Sequence, residues 1–236
     1  MTDQVEIYNL ALDAIGSQST VSSPYETSAE ANALNRHWLP AIREVLRAVH
    51  WNFARYQKPM TLLKDASAGD ATPTPWVYEY AYPSDCVMAR YILPNLDGAL
   101  GETTVGPTVR FLLSSDNDSS NNAANVILTN QAQAVLVYTR LIENPALFDS
   151  EFVEALRLYL GARVAITLTG DKDKRDDCYE KAMSKANDAR ARNGNEGIKV
   201  IDHVPDWIRV RGYTADFAYP DGSLYYTSPQ SLALIT

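Results

Sequence analysis

The sequence is poor in cysteine and histidine and carries no excess of positive charge. Its 236 residues include 2 cysteines and 3 histidines, and 21 basic residues stand against 29 acidic ones, for a formal net charge of −8. Cys86 and Cys178 are far apart and match no metal-binding spacing, so a reduced chain in a cytosolic compartment is expected. The acidic balance argues against a nucleic-acid reader, which normally has a basic surface.

Long apolar runs and catalytic motifs are also missing. No run approaches the roughly 18 apolar residues of a membrane span, and the N-terminus lacks the basic and apolar pattern of a signal peptide. We therefore expect folding in a cytoplasm and no membrane partner. The sequence has no Gly-rich phosphate loop, no Gly-x-Ser-x-Gly and no His-Glu-x-x-His. These absences predict a protein that is not an enzyme and holds no cofactor or metal.

The three histidines have ordinary structural interpretations. His37 lies in a predicted helix, where a solvated or capping role is favoured. His50 stands at the end of that helix, where the helix dipole favours a positive charge. His203 follows Asp202 near the C-terminus, and it would need a third group to orient it as a catalytic base.

One acidic run resembles the beginning of a calcium loop. Asp116, Asp118 and Ser120 have the initial spacing, but Asn121 and Ile127 occupy the positions at which the loop needs Gly and Glu. We interpret the surrounding run, 114–125, as a long mobile loop between two strands.

Two further carboxylate pairs are candidate sites. Asp171 and Asp173 are followed by Arg175 at a calcium-ligand position, so this run is interpreted as a helix start. Glu151 and Glu154 have the chemistry for glycoside hydrolysis, but carboxylates at a helix N-terminus are already explained by the helix dipole.

Apolar periodicity divides the chain into helical, strand-like and aperiodic parts. The period of three to four residues predicts helices over 3–16, from Ser28 to 50, over 149–169 and over 172–193. The region between them alternates apolar and polar residues in short runs bounded by Pro, Gly, Asn and Asp. The predicted strands are 51–64, 76–82, 87–93, 108–113, 125–129 and 134–142.

Local signals add detail to these elements. Pro40 predicts a kink in the second helix. Trp76, Tyr78, Tyr80 and Tyr82 fall on alternate positions and should share one face of a strand. A stripe of small residues on the fourth helix predicts close helix packing, at Cys178, Ala182, Ala186 and Ala189.

The stretch from Arg43 to Ala54 organises the rest of the prediction. It has the pattern of a helix that continues without a loop into a strand, in which Trp51 and Phe53 share one face and Asn52 and Ala54 the other. We interpret the two aromatic residues as core anchors that fix a helical layer against a sheet.

The same stretch carries a family resemblance. Together with Ile7–Gly16, Tyr82–Cys86 and Phe148–Leu156, it resembles the tail tubular protein A or head-to-tail adaptor family of short-tailed phages. The resemblance covers roughly residues 4 to 193, whereas the segment after it matches no family motif. It implies a dodecameric ring beneath the portal protein that closes the DNA exit and supports the tail nozzle or spikes. DNA would pass through its lumen without specific binding, in a virion assembled in the host cytoplasm.

These observations predict an α+β fold, with a four-helix bundle core, an inserted small antiparallel β-region and an extended C-terminal arm. The expected domains are residues 1–50 with 143–194, residues 51–142, and residues 195–236. The arm has no helical period and is rich in aromatic residues, so we expect it to bind a neighbouring subunit or the portal. Docking on its own subunit is the alternative. Its candidate interface residues are Trp207, Tyr213, Phe217, Tyr219, Tyr225 and Tyr226.

Two other functions remain open from sequence. One is a peptidoglycan hydrolase that acts on the cell wall during infection, alone or as a second activity of a tail protein. The other is a monomeric chaperone or scaffold that leaves the finished particle. Both lack a motif of their own in the sequence.

Overall fold

Four α-helices and two small antiparallel sheets make up the described residues, 3–93, 109–117 and 123–195, of a computed structural model. The α+β class is therefore confirmed. The helices are α1 (Gln4–Ala14), α2 (Ala29–Ala48), α3 (Ser150–Thr169) and α4 (Lys172–Asn195). The strands are β1 (Arg55–Pro59), β2 (Leu62–Asp65), β3 (Tyr78–Ala81), β4 (Cys86–Leu93), β5 (Phe111–Asn117), β6 (Ala123–Thr129) and β7 (Val135–Arg140). None of the helices in these ranges combines the length and apolar character needed to span a membrane.

The helix ends follow the signals in the sequence. The Asp3 carboxylate accepts a hydrogen bond from the Glu6 amide at 2.7 Å, and the Ser28 hydroxyl accepts one from the Ala31 amide at 3.2 Å. Each bond satisfies a backbone donor that has no partner within its helix. Gly170 ends α3 at φ +69°, in the left-handed region that favours glycine.

α3 packs against each of the other three helices. Its Gly161 allows the close approach of α1, because a Cβ at this position would lie 3.0 Å from the carbonyl oxygen of Ala11. The helices are unequal, since α1 has 11 residues and α4 has 24. The described helices thus group around α3, and a clear four-helix bundle is not shown.

The small-residue stripe of α4 is buried as predicted, at Cys178, Ala182, Ala186 and Ala189.

The strands form two sheets with the orders β1-β7-β4 and β2-β3-β6-β5. In the second sheet Tyr80 is buried, and Tyr78 and Tyr82 pack against the same small apolar cluster. This confirms the shared face for these three tyrosines. Trp76 precedes β3 and is half-buried outside that cluster.

The expected direct passage from helix to strand is wrong. α2 ends at Ala48 and β1 begins at Arg55, and the turn between them is closed by a hydrogen bond of 3.1 Å from the Arg55 amide to the Asn52 carbonyl. Ala54 is buried beside Trp51 rather than opposite it. Alternating aromatic residues imitate a strand here because the turn places both Trp51 and Phe53 towards one core.

The expected loop over 114–125 is also wrong in its extent. Ser114 to Asn117 belong to β5 and pair with residues of β6, from Ser114 opposite Val126 to Asn117 opposite Ala123. Only residues 118–122 of this run lie outside the described structure. Polar side chains do not prevent this pairing, because the ladder is made by backbone groups. The predicted strand over 51–64 is likewise divided into β1 and β2.

The main apolar core extends across the expected domain boundaries. Trp51 and Ala54 belong to the buried cluster of the helices, and Val87, Leu141 and Ile142 pack against it. The first sheet therefore shares packing with the helical layer. The division of the chain into the domains expected from sequence stays a prediction.

Candidate functional site

Trp51 lies at the centre of the joint between α2 and the first sheet. Its side chain is 0% exposed, and its ring N–H donates to the Val45 carbonyl at 2.9 Å. The rings of Phe53 and Phe152 lie 6.1 and 5.2 Å from the Trp51 ring, and Phe148 lies 4.7 Å from Phe152. Aromatic pairs at these distances add specific geometry to their burial. This confirms that the two aromatic residues of the turn are core anchors.

Asn52, the residue between these anchors, joins the turn to α4. The backbone N–H of Asn52 donates to the Asn193 side-chain oxygen at 3.1 Å, and the side-chain amide of Asn52 donates to the Asn193 backbone carbonyl at 2.9 Å. Asn193 is 5% exposed. This contact was not predicted, because asparagine near a helix end is read from sequence as a cap or turn residue.

Three basic side chains from separate elements surround the same joint, and we call His50, Arg90 and Arg190 the basic cluster. Arg90 of β4 donates through Nε to the Thr139 hydroxyl at 3.0 Å and through Nη2 to the Trp51 carbonyl at 2.8 Å. Arg190 of α4 donates to the Ala48 carbonyl at 2.9 Å. This cluster was not predicted, since its members are 40 or more positions apart in the sequence.

Charge repulsion and burial both act on the basic cluster. Burial lowers the pKa of Arg90 to about 10, and the charge of Arg55 acts in the same direction. Burial also lowers the pKa of His50, followed by the charges of Arg90 and Arg190. The environment therefore disfavours the positive charge that the helix dipole had suggested for His50. In the described part of the chain, no carboxylate forms an ion pair with Arg90 or Arg190.

Asp85, within the Tyr82–Cys86 motif, has a structural role. Its carboxylate accepts a hydrogen bond from the Tyr138 hydroxyl at 2.9 Å and lies 3.1 Å from Nε of Arg140. Burial raises the pKa of the Cys86 thiol to about 11, so the thiolate needed for nucleophilic chemistry is disfavoured. The motif thus fixes β4 against β7.

Glu151 and Glu154, the hydrolase candidates, are both held by arginines. Glu154 accepts two hydrogen bonds from Arg157, at 2.9 and 2.7 Å, and Glu151 accepts one from Arg192 at 2.5 Å. The bonds from Arg157 lower the pKa of Glu154 despite partial burial. A general acid for glycoside hydrolysis needs a raised pKa, so Glu154 has the opposite electrostatics.

His37 and His203 do not form a site in the described residues. His37 is half-buried on α2, where burial lowers its pKa and the charges of Arg163 and Arg36 add to the effect. His203 and its neighbour Asp202 lie outside the described residues.

The calcium candidates have other partners. The side chain of Asp171 accepts a hydrogen bond from the Asp173 amide at 2.9 Å, just before α4, which confirms the predicted helix start. Asp116 bonds Lys64, and Asp118 lies outside the described structure together with Ser120 and Asn121. Across residues 3–93, 109–117 and 123–195, no group of three or more His, Cys, Asp or Glu side chains has the arrangement of a metal site.

Asp116 and Lys64 join the two outer strands of the second sheet. Three strand spacings separate β2 from β5, or about 14 Å in a flat sheet. Across the sheet, Lys64 is in register with Leu112 of β5 through the paired residues of β3 and β6. Asp116 lies four residues further along β5, so a flat sheet would also separate it from Lys64 by about 13 Å along the strand direction. The bond between the side chains therefore requires the sheet to twist and coil until its outer strands approach.

Glu79 lies beneath this ion pair. Its side chain is 1% exposed, neither carboxylate oxygen accepts a hydrogen bond, and Nζ of Lys64 lies 3.4 Å from Oε1. Burial raises the pKa of Glu79, and the neighbouring charge of Asp116 acts in the same direction against the opposing charge of Lys64. Glu79 is thus a buried carboxyl that is costly to ionise.

A shallow groove of about 250 Å³ runs between α2, α3 and α4. Its lining is mainly apolar and includes Val45, Ala155 and Tyr159. Tyr179 and Met183 of α4 also line it and remain 47% and 40% exposed. Exposed apolar side chains beside a groove are typical of a surface that contacts another protein.

The predicted interface residues of the arm lie outside the described residues. They are Trp207, Tyr213, Phe217, Tyr219, Tyr225 and Tyr226. Their assignment to an interface stays a prediction.

No protein-family model matches this sequence, and no curated protein is detectably similar to it.

Proposed function

We propose that this protein is a structural component of a phage virion, a head-to-tail adaptor that forms a ring beneath the portal. The observation that carries the proposal is that the motifs resembling the adaptor family serve the packing of one framework. Ile7 and Tyr8 are fully buried in α1, Trp51 and Phe152 form the aromatic joint, and Asp85 fixes β4 to β7. Motif residues that serve packing are expected in a protein whose function depends on its shape and not on catalysis.

In the proposed assembly, twelve copies form a closed ring that binds the portal, closes the DNA exit after packaging and supports the nozzle or spikes. The helices of neighbouring copies stack side by side and complete a bundle-like layer. The C-terminal arm binds a neighbouring copy or the portal. The net charge of −8 suits a lumen through which DNA passes without specific binding, since like charges repel. The protein is assembled in the host cytoplasm and ends in the virion tail.

The groove between α2, α3 and α4 supports a role in assembly. Tyr179 and Met183 present exposed apolar surface beside it, and burial of such surface is the main driving force of association. We propose that this face contacts the next copy in the ring.

The geometry favours this structural role over a peptidoglycan hydrolase. Both candidate carboxylates are engaged by arginines, and the pKa of Glu154 is lowered where a general acid needs it raised. Purified protein incubated with peptidoglycan tests the alternative directly. Loss of lytic activity in Glu151→Gln or Glu154→Gln would establish it.

The test of the adaptor function combines purified portal rings with the protein and images the product by electron microscopy. We expect a second ring beneath the portal, and mass spectrometry of purified virions should find the protein in the finished particle. Met183→Glu should abolish the ring by placing a charge on the contact face. Ser184→Glu is the matched control, because Ser184 is exposed on the same helix and does not line the groove. Absence of the protein from virions would support the chaperone or scaffold instead.

A further inference from the structure

The basic cluster has more positive charge than the end of α2 requires. The negative end of a helix dipole is equivalent to roughly half an elementary charge. Arg90 and Arg190 bring two full charges to the carbonyls of Trp51 and Ala48. His50 lies between Ala48 and Trp51 in the sequence. Capping of the helix therefore accounts for part of this charge and leaves an excess.

The two arginines are held in place by the backbone, with donors to spare. A guanidinium group has five N–H donors. Arg90 uses two of them, on Thr139 and Trp51, and Arg190 uses one, on Ala48. The two carbonyls are three residues apart, so they are separated by at most about 11 Å. Each guanidinium group is thus restrained by at least one bond to a backbone carbonyl, which lowers the entropy cost of binding an anion.

The positive charge of the basic cluster can attract an anion although the whole chain has a net charge of −8. Screening at physiological ionic strength reduces charge interactions beyond about 8 Å, so an anion at the cluster responds mainly to its nearest neighbours. Burial and the charge of Arg55 lower the pKa of Arg90 to about 10, which leaves the group charged at neutral pH. An anion bound here would relieve repulsion that the folded chain otherwise bears.

We propose that Arg90, Arg190 and His50 form a binding site for phosphate oxygens, supplied by inorganic phosphate or by the backbone of a nucleic acid. Arginine matches the oxygens of phosphate through paired N–H groups. A tetrahedral phosphate accepts bonds from donors that approach from several directions, and Arg90 and Arg190 belong to two different elements, β4 and α4. A planar carboxylate offers two coplanar oxygens and fits this arrangement less well. The inference does not depend on the proposed role in a virion.

His50 provides a direct probe in the full-length protein. The chain has 3 histidines, so their ring proton signals are readily separated by NMR and assigned with a His50→Gln variant. Phosphate should move the His50 signal towards its protonated position at fixed pH and ionic strength, relative to chloride. The His37 signal serves as an internal reference, because His37 lies on the side of α2 near Arg163.

Two variants separate binding from general charge effects. Arg190→Gln should weaken phosphate binding at least about tenfold, as for the loss of one hydrogen bond to a charged group. Arg192→Gln is the matched control, because Arg192 lies two positions along the same helix and already pairs with Glu151. Circular dichroism of both variants would confirm that the fold is retained.

Inorganic phosphate and duplex DNA distinguish the source of the phosphate, and polyglutamate serves as an anion without phosphate. A response of the His50 signal to both phosphate and DNA assigns the site to phosphodiester oxygens as well as to the free ion. Arg190→Gln should then reduce the salt dependence of DNA binding by about one ion. A response to inorganic phosphate alone assigns it to the small anion. The proposal is overturned if neither ligand moves the His50 signal, if polyglutamate does so and phosphate does not, or if Arg192→Gln weakens binding as much as Arg190→Gln.

Discussion

Asn52 and Asn193 are 141 positions apart in the chain and are joined by two hydrogen bonds, at 3.1 and 2.9 Å, both donated by Asn52. Asn193 also donates to the Ala189 carbonyl at 3.1 Å within α4. The pair therefore ties the turn after α2 to the last turn of α4. Removal of either side chain leaves backbone groups of the other element without their partners.

Loss of the Asn193 side chain should lower the stability of the whole fold. We expect Asn193→Ala to cost about 1–3 kcal/mol, because a buried polar group loses its partner. Chemical denaturation measures this change, and Asn32→Ala serves as a control because Asn32 is exposed and makes one bond to the Thr27 carbonyl. A double-mutant cycle with Asn52→Ala should show a coupling free energy of about 0.5–3 kcal/mol. Additive effects would mean that the pair does not act as a unit.

Loss of the Trp51 ring should be more costly. The side chain is fully buried among Phe53 and Phe152 and bonds the Val45 carbonyl. We expect Trp51→Ala to lower the free energy of unfolding by about 3–5 kcal/mol, measured by thermal or chemical denaturation. Tyr25→Ala should have little effect, since Tyr25 is 93% exposed. Equal melting temperatures for Trp51→Ala and the parent would refute the role of the joint.

Glu79 should make the fold more stable as the solution becomes acidic. Its pKa is raised in the folded state above the ordinary value of 4.5, so the folded protein binds this proton more readily than the unfolded chain. Its contribution to stability therefore increases as the pH falls through the raised pKa and is complete below about 4.5. Glu79→Gln should remove this pH dependence. The comparison requires denaturation curves of parent and variant from pH 7 down to about 3, with their difference plotted against pH.

Glu154 provides the opposite case for that experiment. Its pKa is lowered by Arg157, so its contribution to stability is present above its ordinary pKa and is lost as the pH falls through the lowered value. Glu154→Gln should therefore cost stability near neutral pH and less in acid. The same direction of change for Glu79→Gln and Glu154→Gln would contradict the assignment of both groups.

The C-terminal segment should be dispensable for folding and required for assembly. The buried clusters of the described structure contain residues from Ile7 to Ala189, so deletion of residues 198–236 should leave the melting temperature almost unchanged. The shortened protein should fail to form a ring on portal particles, because the proposed arm is missing. Calorimetry and electron microscopy measure the two effects separately. Unfolding of the shortened chain, or ring formation with unaltered affinity, would remove the arm from the proposed assembly.

Local signals in the sequence predicted the elements whose causes are also local. Asp3, Ser28 and Gly170 mark helix ends through hydrogen bonds or backbone angles within a few residues. The stripe containing Cys178 and Ala182 predicted the buried face of α4 through helical spacing alone. These features need no knowledge of the rest of the fold.

The errors arose where distant residues decide the local structure. Trp51 and Phe53 alternate as in a strand, yet the core formed with Phe152 determines the turn between them. Ser114 and Asp116 have the composition of a loop, yet pairing with β6 extends the strand. The basic cluster and the Asn52–Asn193 pair were not predicted at all, because each joins elements far apart in sequence and no periodicity reports such contacts.

The turn between α2 and β1 also has a mechanical consequence. Its residues are bonded to α4 through Asn193 and to β4 through Arg90, so a load applied to β1 reaches the helices without passing through a hinge. β1 runs antiparallel to β7 along the edge of its sheet, and its hydrogen bonds lie perpendicular to the strand. A pull along β1 therefore loads several of these bonds at once, in shear. Pressure on one face of the molecule would be transmitted to the other as a rigid displacement.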